Sequence, residues 1–335
     1  MNPTLEGEVE EFLDLAAAGR PRPAIAQALA LLDAGNSVED LIVGLLAPAQ
    51  QEVGLRWQAH RWNTAQEHAA TAVIDGVLGA IALRTPIPSP ARGAVLVSCV
   101  EEEYHSLPAR MGVERLRADG WDVTFLGASV PAHDLQAFAA STQVDAAVLS
   151  CTLPLFLPGA TRAIAALADL GIPAVAAGAG FGDTPRRAAQ LGASGWIGPA
   201  SNPTAIVDGL SAAVTGVSRQ PEEEAVQLEL HADELRDSAI DEMSRRIPAM
   251  SAYSAQQLTR TREDLAYILR YLGSALDLDE PSMFEDFVAW LSAARGVPAA
   301  VLDASLEIVA EGARGLGLIR AAGICTSARL VLAGT

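Results

Sequence analysis

Two of the five histidines in this chain of 335 residues stand beside a glutamate at spacings that bear on chemistry. In the stretch "VEEEYHSLP", Glu103 lies two residues before His105. A carboxylate so placed can accept one imidazole N–H, which fixes the tautomer and raises the basicity of the second nitrogen as a metal ligand. In "GLRWQAHRWNTAQEHAATAV", Glu67 is followed directly by His68, and Trp57 lies ten residues before Glu67. Each group also has a plainer reading. The first fits a surface loop with a solvated histidine; the second fits a core tryptophan with an exposed Glu-His at a helix end.

The elements that must position these residues follow from the apolar pattern. From Val9 to about Leu83 apolar residues recur at helical spacing, as in Val38, Leu41, Ile42, Leu45 and Leu46, with Pro21, Pro23 and "DAGNS" as punctuation. This predicts a bundle of about four helices over residues 1–85, closed by the proline-rich "TPIPSPARG" at 85–93. The period then changes. "GAVLVSCV", "DVTFLGA", "DAAVLSCTL" and "IPAVAAGAG" are apolar runs of strand length separated by helical patterns. Strands alternating with helices predict a parallel sheet covered on both faces over residues 92–214, a flavodoxin-like, Rossmann-type α/β domain. Ligands in such folds bind beyond the carboxyl ends of the strands, which selects Glu101 to His105, Gly127 to Ser129, Ser150 to Thr152 and Gly178 to Gly182. A polar, acidic stretch around 215–231 reads as a linker with the start of a helix. Residues 232–335 read as all helical, with one stripe through Leu265, Ile268, Leu269, Leu272 and Leu276. A second stripe, through Phe284, Phe287, Val288 and Leu291, is opened by Ser282 with Glu285 at capping-box spacing.

Composition excludes several classes. A formal net charge of −18, spread over many segments, repels phosphate backbones, so direct nucleic-acid binding is not expected. Three widely spaced cysteines, Cys99, Cys151 and Cys325, give no disulfide framework and point to a reducing cytoplasm. The acidic N-terminus does not resemble a signal peptide, and no uninterrupted apolar run is long enough to enter a membrane. The C-terminal segment has no kinase signature, phosphate loop or basic patch, so signalling is expected in place of catalysis.

The spacing of the strand-end residues resembles the cobalamin-binding fold, in which Asp-x-His-x-x-Gly, Ser-x-Leu/Thr and Gly-Gly follow successive strands. Here 41 residues separate Pro108 from Ser150 in "LSCT", and 25 separate Thr152 from Gly178 in "AGAGFG". The resemblance implies that His105 is cobalt's lower ligand and Glu103 its orienting partner. It implies that Ser150 and Thr152 contact the nucleotide tail, with Gly178 and Gly180 as bare backbone beside it. Glu103 stands in place of Asp, Pro108 in place of the loop glycine, and Ala179 interrupts the glycine pair.

The helical bundle with Trp57 and Glu67-His68 resembles the W-(9)-EH signature of CarH- and LitR-type light sensors. There the bundle caps the upper cobalamin face and these residues enclose an adenosyl group. A flat aromatic packs on such a surface while polar neighbours bind its hydroxyls. Gln58 stands where CarH carries the histidine that ligates cobalt after light, which excludes a bis-histidine adduct there; His60 is out of register.

The order of bundle, sheet domain, linker and helical domain resembles the photocobilins, which bind cobalamin together with a bilin such as biliverdin. On that resemblance Tyr267, Arg270 and Tyr271 become candidate bilin-binding residues, with Asp286 beside them and Cys325 for a thioether; ordinary helix packing and solvated charge are their plainer reading, and Cys325 reads equally as a small buried hydrophobe. The function implied is a cytoplasmic photoreceptor that loads adenosylcobalamin and works through a protein partner or a homo-oligomer such as a dimer. Two rivals stand beside it: a corrinoid methyl carrier of a methyltransferase system, and a scaffold that holds no cofactor.

Overall fold

The computed structural model describes residues 3–86, 92–199, 201–210, 219–293 and 296–333. The N-terminal helices are α1 (Pro3–Ala17), α2 (Pro21–Asp33), α3 (Val38–Leu41), α4 (Ala47–Gln58) and α5 (Thr64–Arg84). A π-helical turn, Ile42–Leu46, joins α3 to α4 without a break, so the expected four helices are present as four rods. Ser37 and Asn63 start α3 and α5 with reciprocal capping boxes to Asp40 and Gln66, which satisfies backbone donors that have no intrahelical partner. Phe12, Leu13, Leu41, Leu45, Ile74 and Leu78 fill the core of this cap. Gly44 has no side chain because a Cβ there would lie 2.8 Å from the Leu5 Cδ1, and its absence lets α1 lie against the π turn.

The sheet domain alternates strand and helix: β1 (Ala94–Cys99), α6 (Ser106–Ala118), β2 (Asp122–Phe125), α7 (Ala132–Ser141), β3 (Ala146–Ser150), α8 (Leu157–Ala168), β4 (Ala174–Ala177), α9 (Arg186–Gln190), β5 (Gly195–Ile197) and α10 (Pro203–Asp208). All pairings are parallel and the order is β2-β1-β3-β4-β5. Strand order reverses between β1 and β3, and that switch point is where open α/β sheets leave a crevice for ligands. Four strands match the apolar runs of the sequence; β5 is three residues long, half-buried and starts with glycine, so its pattern is too short to detect.

One face of the sheet packs on α6 and α10 through Val95, Val97, Val113, Val148, Val175 and Val207. Leu107 and Met111 on another side of α6 enter the cap core, so α6 is the shared wall between cap and sheet. Two ion pairs add to that boundary, Arg110 with Asp75 and Arg115 with Glu39.

The remaining helices are α11 (Glu223–Leu230), α12 (Ala232–Arg246), α13 (Ala255–Asp277), α14 (Pro281–Ala293), α15 (Ala299–Gly315) and α16 (Ile319–Ala333). The stretch expected as a linker, 215–231, lies partly outside the described residues; its second half forms α11, which buries Ala225 and Leu228. Helix α14 begins at Pro281, so Ser282 falls within its first turn and does not cap it. The apolar stripe of α13 shares one continuous core with Leu96, Leu149 and Ala176 on the second face of the sheet. Among the described residues no helix is long and apolar enough to cross a membrane.

Polar contacts reinforce this junction. Arg187 on α9 makes a two-pronged pair with Glu280 at 3.0 and 2.8 Å, and donates to the Gly180 carbonyl at 3.1 Å. The Arg187 guanidinium holds the Glu280 carboxyl below its ordinary value. A depressed carboxyl stabilises the fold above its unfolded pKa of about 4.3 and loses that contribution as pH falls through the lower folded value. Glu280→Gln is therefore expected to cost about 1 kcal/mol at pH 7 and less at an acid pH well below about 4.3. Urea denaturation of both proteins at the two pH values checks this; a gap of the same size in acid contradicts it.

Candidate functional site

The loop after β1 places the Glu103 side chain at 0% exposure, beside the exposed ring of His105 at the start of α6. One carboxylate oxygen of Glu103 accepts the His105 backbone N–H at 2.8 Å and lies 2.6 Å from the ring Nδ1. The other accepts the backbone N–H groups of Thr152 at 2.5 Å and Leu153 at 3.3 Å, from the loop after β3. A single carboxylate thus ties together the two loops that flank the switch point. Burial pushes the Glu103 carboxyl up, but hydrogen bonds from the His105 ring and backbone and from Thr152 outweigh it and hold the group below its ordinary value. Ionised, it only accepts, so Nδ1 must carry the proton and a neutral His105 keeps the Nε2 lone pair free. The hydrogen bond with Glu103 raises the His105 pKa, burial opposes, and the Glu67 carboxylate of the cap adds to the rise.

On the cap side Trp57, at the end of α4, is 38% exposed, and its indole N–H reaches the Thr64 hydroxyl at 3.4 Å. Glu67 pairs with the His68 Nδ1 through one oxygen and accepts the Thr71 hydroxyl at 2.9 Å through the other. The Gln50 amide donates to Thr71 at 3.0 Å. Gln50 and Thr71 belong to no motif and sit on different helices, so this chain of bonds cannot be read from residue order.

The expected tail contacts are partly committed within the chain. Ser150 is buried and its hydroxyl meets the Cys99 thiol, whose pKa burial pushes up to about 12. The Thr152 hydroxyl is buried without a partner among the described residues. Gly178 has φ +99°, and a Cβ there would lie 2.5 Å from the Cys151 carbonyl oxygen; at Gly180 it would lie 2.9 Å from the same atom. The room these glycines leave is taken up by the chain itself, where the loop after β4 lies on the loop after β3. Gly178→Ala combines a left-handed backbone with a backbone clash and should destabilise the protein by about 3 kcal/mol. A chemical denaturation midpoint equal to the parent's would show that the loop relaxes freely.

The candidates in the C-terminal helices lie in different surroundings. Tyr271 stacks on Phe287 with ring centres 3.8 Å apart, and burial pushes its hydroxyl up to about 12. Tyr267 and Asp286 are exposed, and Arg270 pairs with Glu102. Cys325 is fully buried and its thiol is pushed up to about 12 by burial, which leaves no thiolate for a thioether bond. A separate cavity of about 190 Å³ is lined by Tyr253, Arg260, Asp264, Ile268 and Leu302.

Among the described residues no group of three or more His, Cys, Asp or Glu could cage a bare ion. A metal held by His105 must bring most of its own ligands, as a metallo-macrocycle does, and the oriented imidazole with the unpartnered Thr152 hydroxyl fits such a group. Fold and site define a cobalamin-binding protein: residues 8–82 and residues 93–208 each match a family model described as a B12 binding domain.

The chain is similar to the HTH-type transcriptional repressor CarH of Myxococcus xanthus, 34% identical over 91 residues, which is 27% of this chain and 30% of that protein. It is also similar to the repressor CarA of the same organism, 31% identical over 123 residues, 36% of this chain and 41% of that one. It thus spans less than half the length of the curated relatives it matches. The monomethylamine corrinoid protein of Methanosarcina barkeri shares the fold, with a TM-score of 0.52 over 62% of this chain and 97% of that one at 15% identity.

Proposed function

We propose that the chain is a light-responsive cobalamin-binding protein in which His105 ligates cobalt from below and the Trp57, Glu67 and His68 cluster encloses an adenosyl group above. The observation that carries the reading is the imidazole held by Glu103 at 2.6 Å, at the switch point of a sheet domain that matches a B12 binding domain. Adenosylcobalamin, when bound, supplies a cobalt–carbon bond that light can break. The chain's part is to orient the imidazole, to exclude water with Trp57, and to present Glu67 to hydroxyl groups. The cap meets α6 through Leu107, Met111 and two ion pairs, contacts whose packing would respond to what the cap encloses.

The test is to load the protein with adenosylcobalamin in the dark and to record the spectrum and hydrodynamic radius before and after green light. Changes in both support the reading, and no change in either removes it. Trp57→Ala should alter the rate of photolysis severalfold while cobalamin affinity stays within about threefold; the same photolysis rate in mutant and parent would rule out the enclosing role.

The corrinoid methyl carrier is the second reading, because the same lower histidine and the same fold serve it. It requires methylation of the bound cobalt by a partner methyltransferase with no response to light. A bilin as second chromophore would need the C-terminal cavity to open, since it falls short of the few hundred Å³ that ligands of that size occupy. Addition of biliverdin to the purified protein, followed by its red absorption band, tests that part alone. Output through a protein partner or a second copy belongs to the same proposal and is read from the oligomeric state in dark and light.

A further inference from the structure

Three consecutive glutamates precede His105, and each points to a different part of the molecule. Glu101 meets Arg162 of α8 at 3.0 Å, and the same arginine meets Glu229 of α11 at 3.2 Å. Glu103 orients His105. Between them Glu102 pairs with Arg270 of α13. Glu102 has φ +66°, a region that non-glycine residues occupy only where the surroundings hold them. The holding contacts come from the loop after β2: the Glu102 N–H donates to the Ser129 hydroxyl at 3.0 Å, and the Ser129 N–H donates to the Glu103 carbonyl at 2.9 Å. That backbone turn directs the Glu102 side chain away from the carboxylate of Glu103 and toward α13. Arg270 also lies over the ring of Phe156, 5.3 Å from its centre, in the turn that follows β3. One guanidinium therefore touches both loops that Glu103 ties together from inside.

We propose that Arg270 is a positioning residue for the His105 loop, through which the C-terminal helices set how firmly cobalt is held from below. Glu103 fixes the loop from the interior and Arg270 fixes it from the exterior, so a change at His105 is felt by α13 before any larger movement occurs. The assignment gives Arg270 a partner within the chain in place of a bilin carboxylate. Its link to cobalt rests on the reading of His105 as a ligand, but the loop contact itself does not.

Two measurements separate these parts. In the cobalamin-free protein, hydrogen exchange of the amides from Glu101 to Ser106 is expected to speed up three- to tenfold in Arg270→Ala and equally in Glu102→Gln, with no change in the cap amides. Glu102→Gln lies in a loop, so the experiment survives if Arg270→Ala perturbs the helices. The charge-swapped pair Glu102→Arg with Arg270→Glu should recover at least half of the lost protection. In cobalamin-loaded protein, the same single variants should lower the fraction of cobalt that shows nitrogen coupling in the resonance spectrum of its reduced form. Unchanged exchange in both single variants overturns the proposal. Faster exchange with unaltered nitrogen coupling confines Arg270 to a structural role and also overturns it. If His105→Ala shows parental coupling while exchange still responds to Arg270, the ligand reading fails and the loop contact stands.

Discussion

Replacement of His105 by alanine is expected to weaken cobalamin binding about 100-fold. Removal of groups that merely orient a ligand costs about 10- to 100-fold in metal affinity, and loss of the ligating nitrogen belongs at the upper end of that range. The fold should be nearly untouched, because the imidazole is half exposed and makes its one side-chain bond to Glu103. Titration of the cobalamin-free protein, followed by absorbance, gives the affinity, and the spectrum should move toward that of cobalamin without a nitrogen ligand from below. Affinity within about threefold of the parent would show that cobalt is held by something other than this ring.

Replacement of Glu103 by alanine is expected to act on stability and binding together. It deprives three partly buried backbone N–H groups, those of His105, Thr152 and Leu153, of the fully buried carboxylate that accepts them. The cost is about 3 kcal/mol, since buried donors that lose their partner forfeit solvation as well as the bond. The ring of His105 loses its orienting contact, so affinity should also drop 10- to 100-fold. Glu103→Gln keeps the volume but offers one acceptor oxygen where two are used, and should fall between alanine and parent. Urea denaturation of the cobalamin-free protein reads the first effect. A loss below about 1 kcal/mol in Glu103→Ala would mean that other groups, or water, satisfy these donors.

Local chemistry was legible in the sequence and long-range partnership was not. Glu103 and His105 are two residues apart, so their contact follows from the loop that joins β1 to α6. The alternation of apolar runs with helical stripes pointed to the parallel sheet, because β1, β3 and β4 are buried almost throughout and read as unbroken runs. Gln50 and Thr71 are 21 residues apart on separate helices, and their bond depends on how α4 and α5 cross. Ser129 and Glu102 take left-handed backbone conformations that no residue type at those positions announces. Gly178 and Gly180 were read as space for a ligand, whereas the Cys151 carbonyl occupies that space; a glycine reports a close approach and not the identity of what approaches.

The two boundaries of the sheet domain differ in kind. On the α6 side the cap keeps a core of its own and meets the domain through a few apolar side chains and two ion pairs. On the opposite side the hydrophobic interior runs without interruption from the strands into α13. Separation of the C-terminal helices would wet that interior, whereas a slide of the cap along α6 exchanges polar contacts for water at small cost. The cheaper boundary to shift is therefore the one on the α6 side, where the cap is joined by fewer apolar contacts than join the sheet to the C-terminal helices.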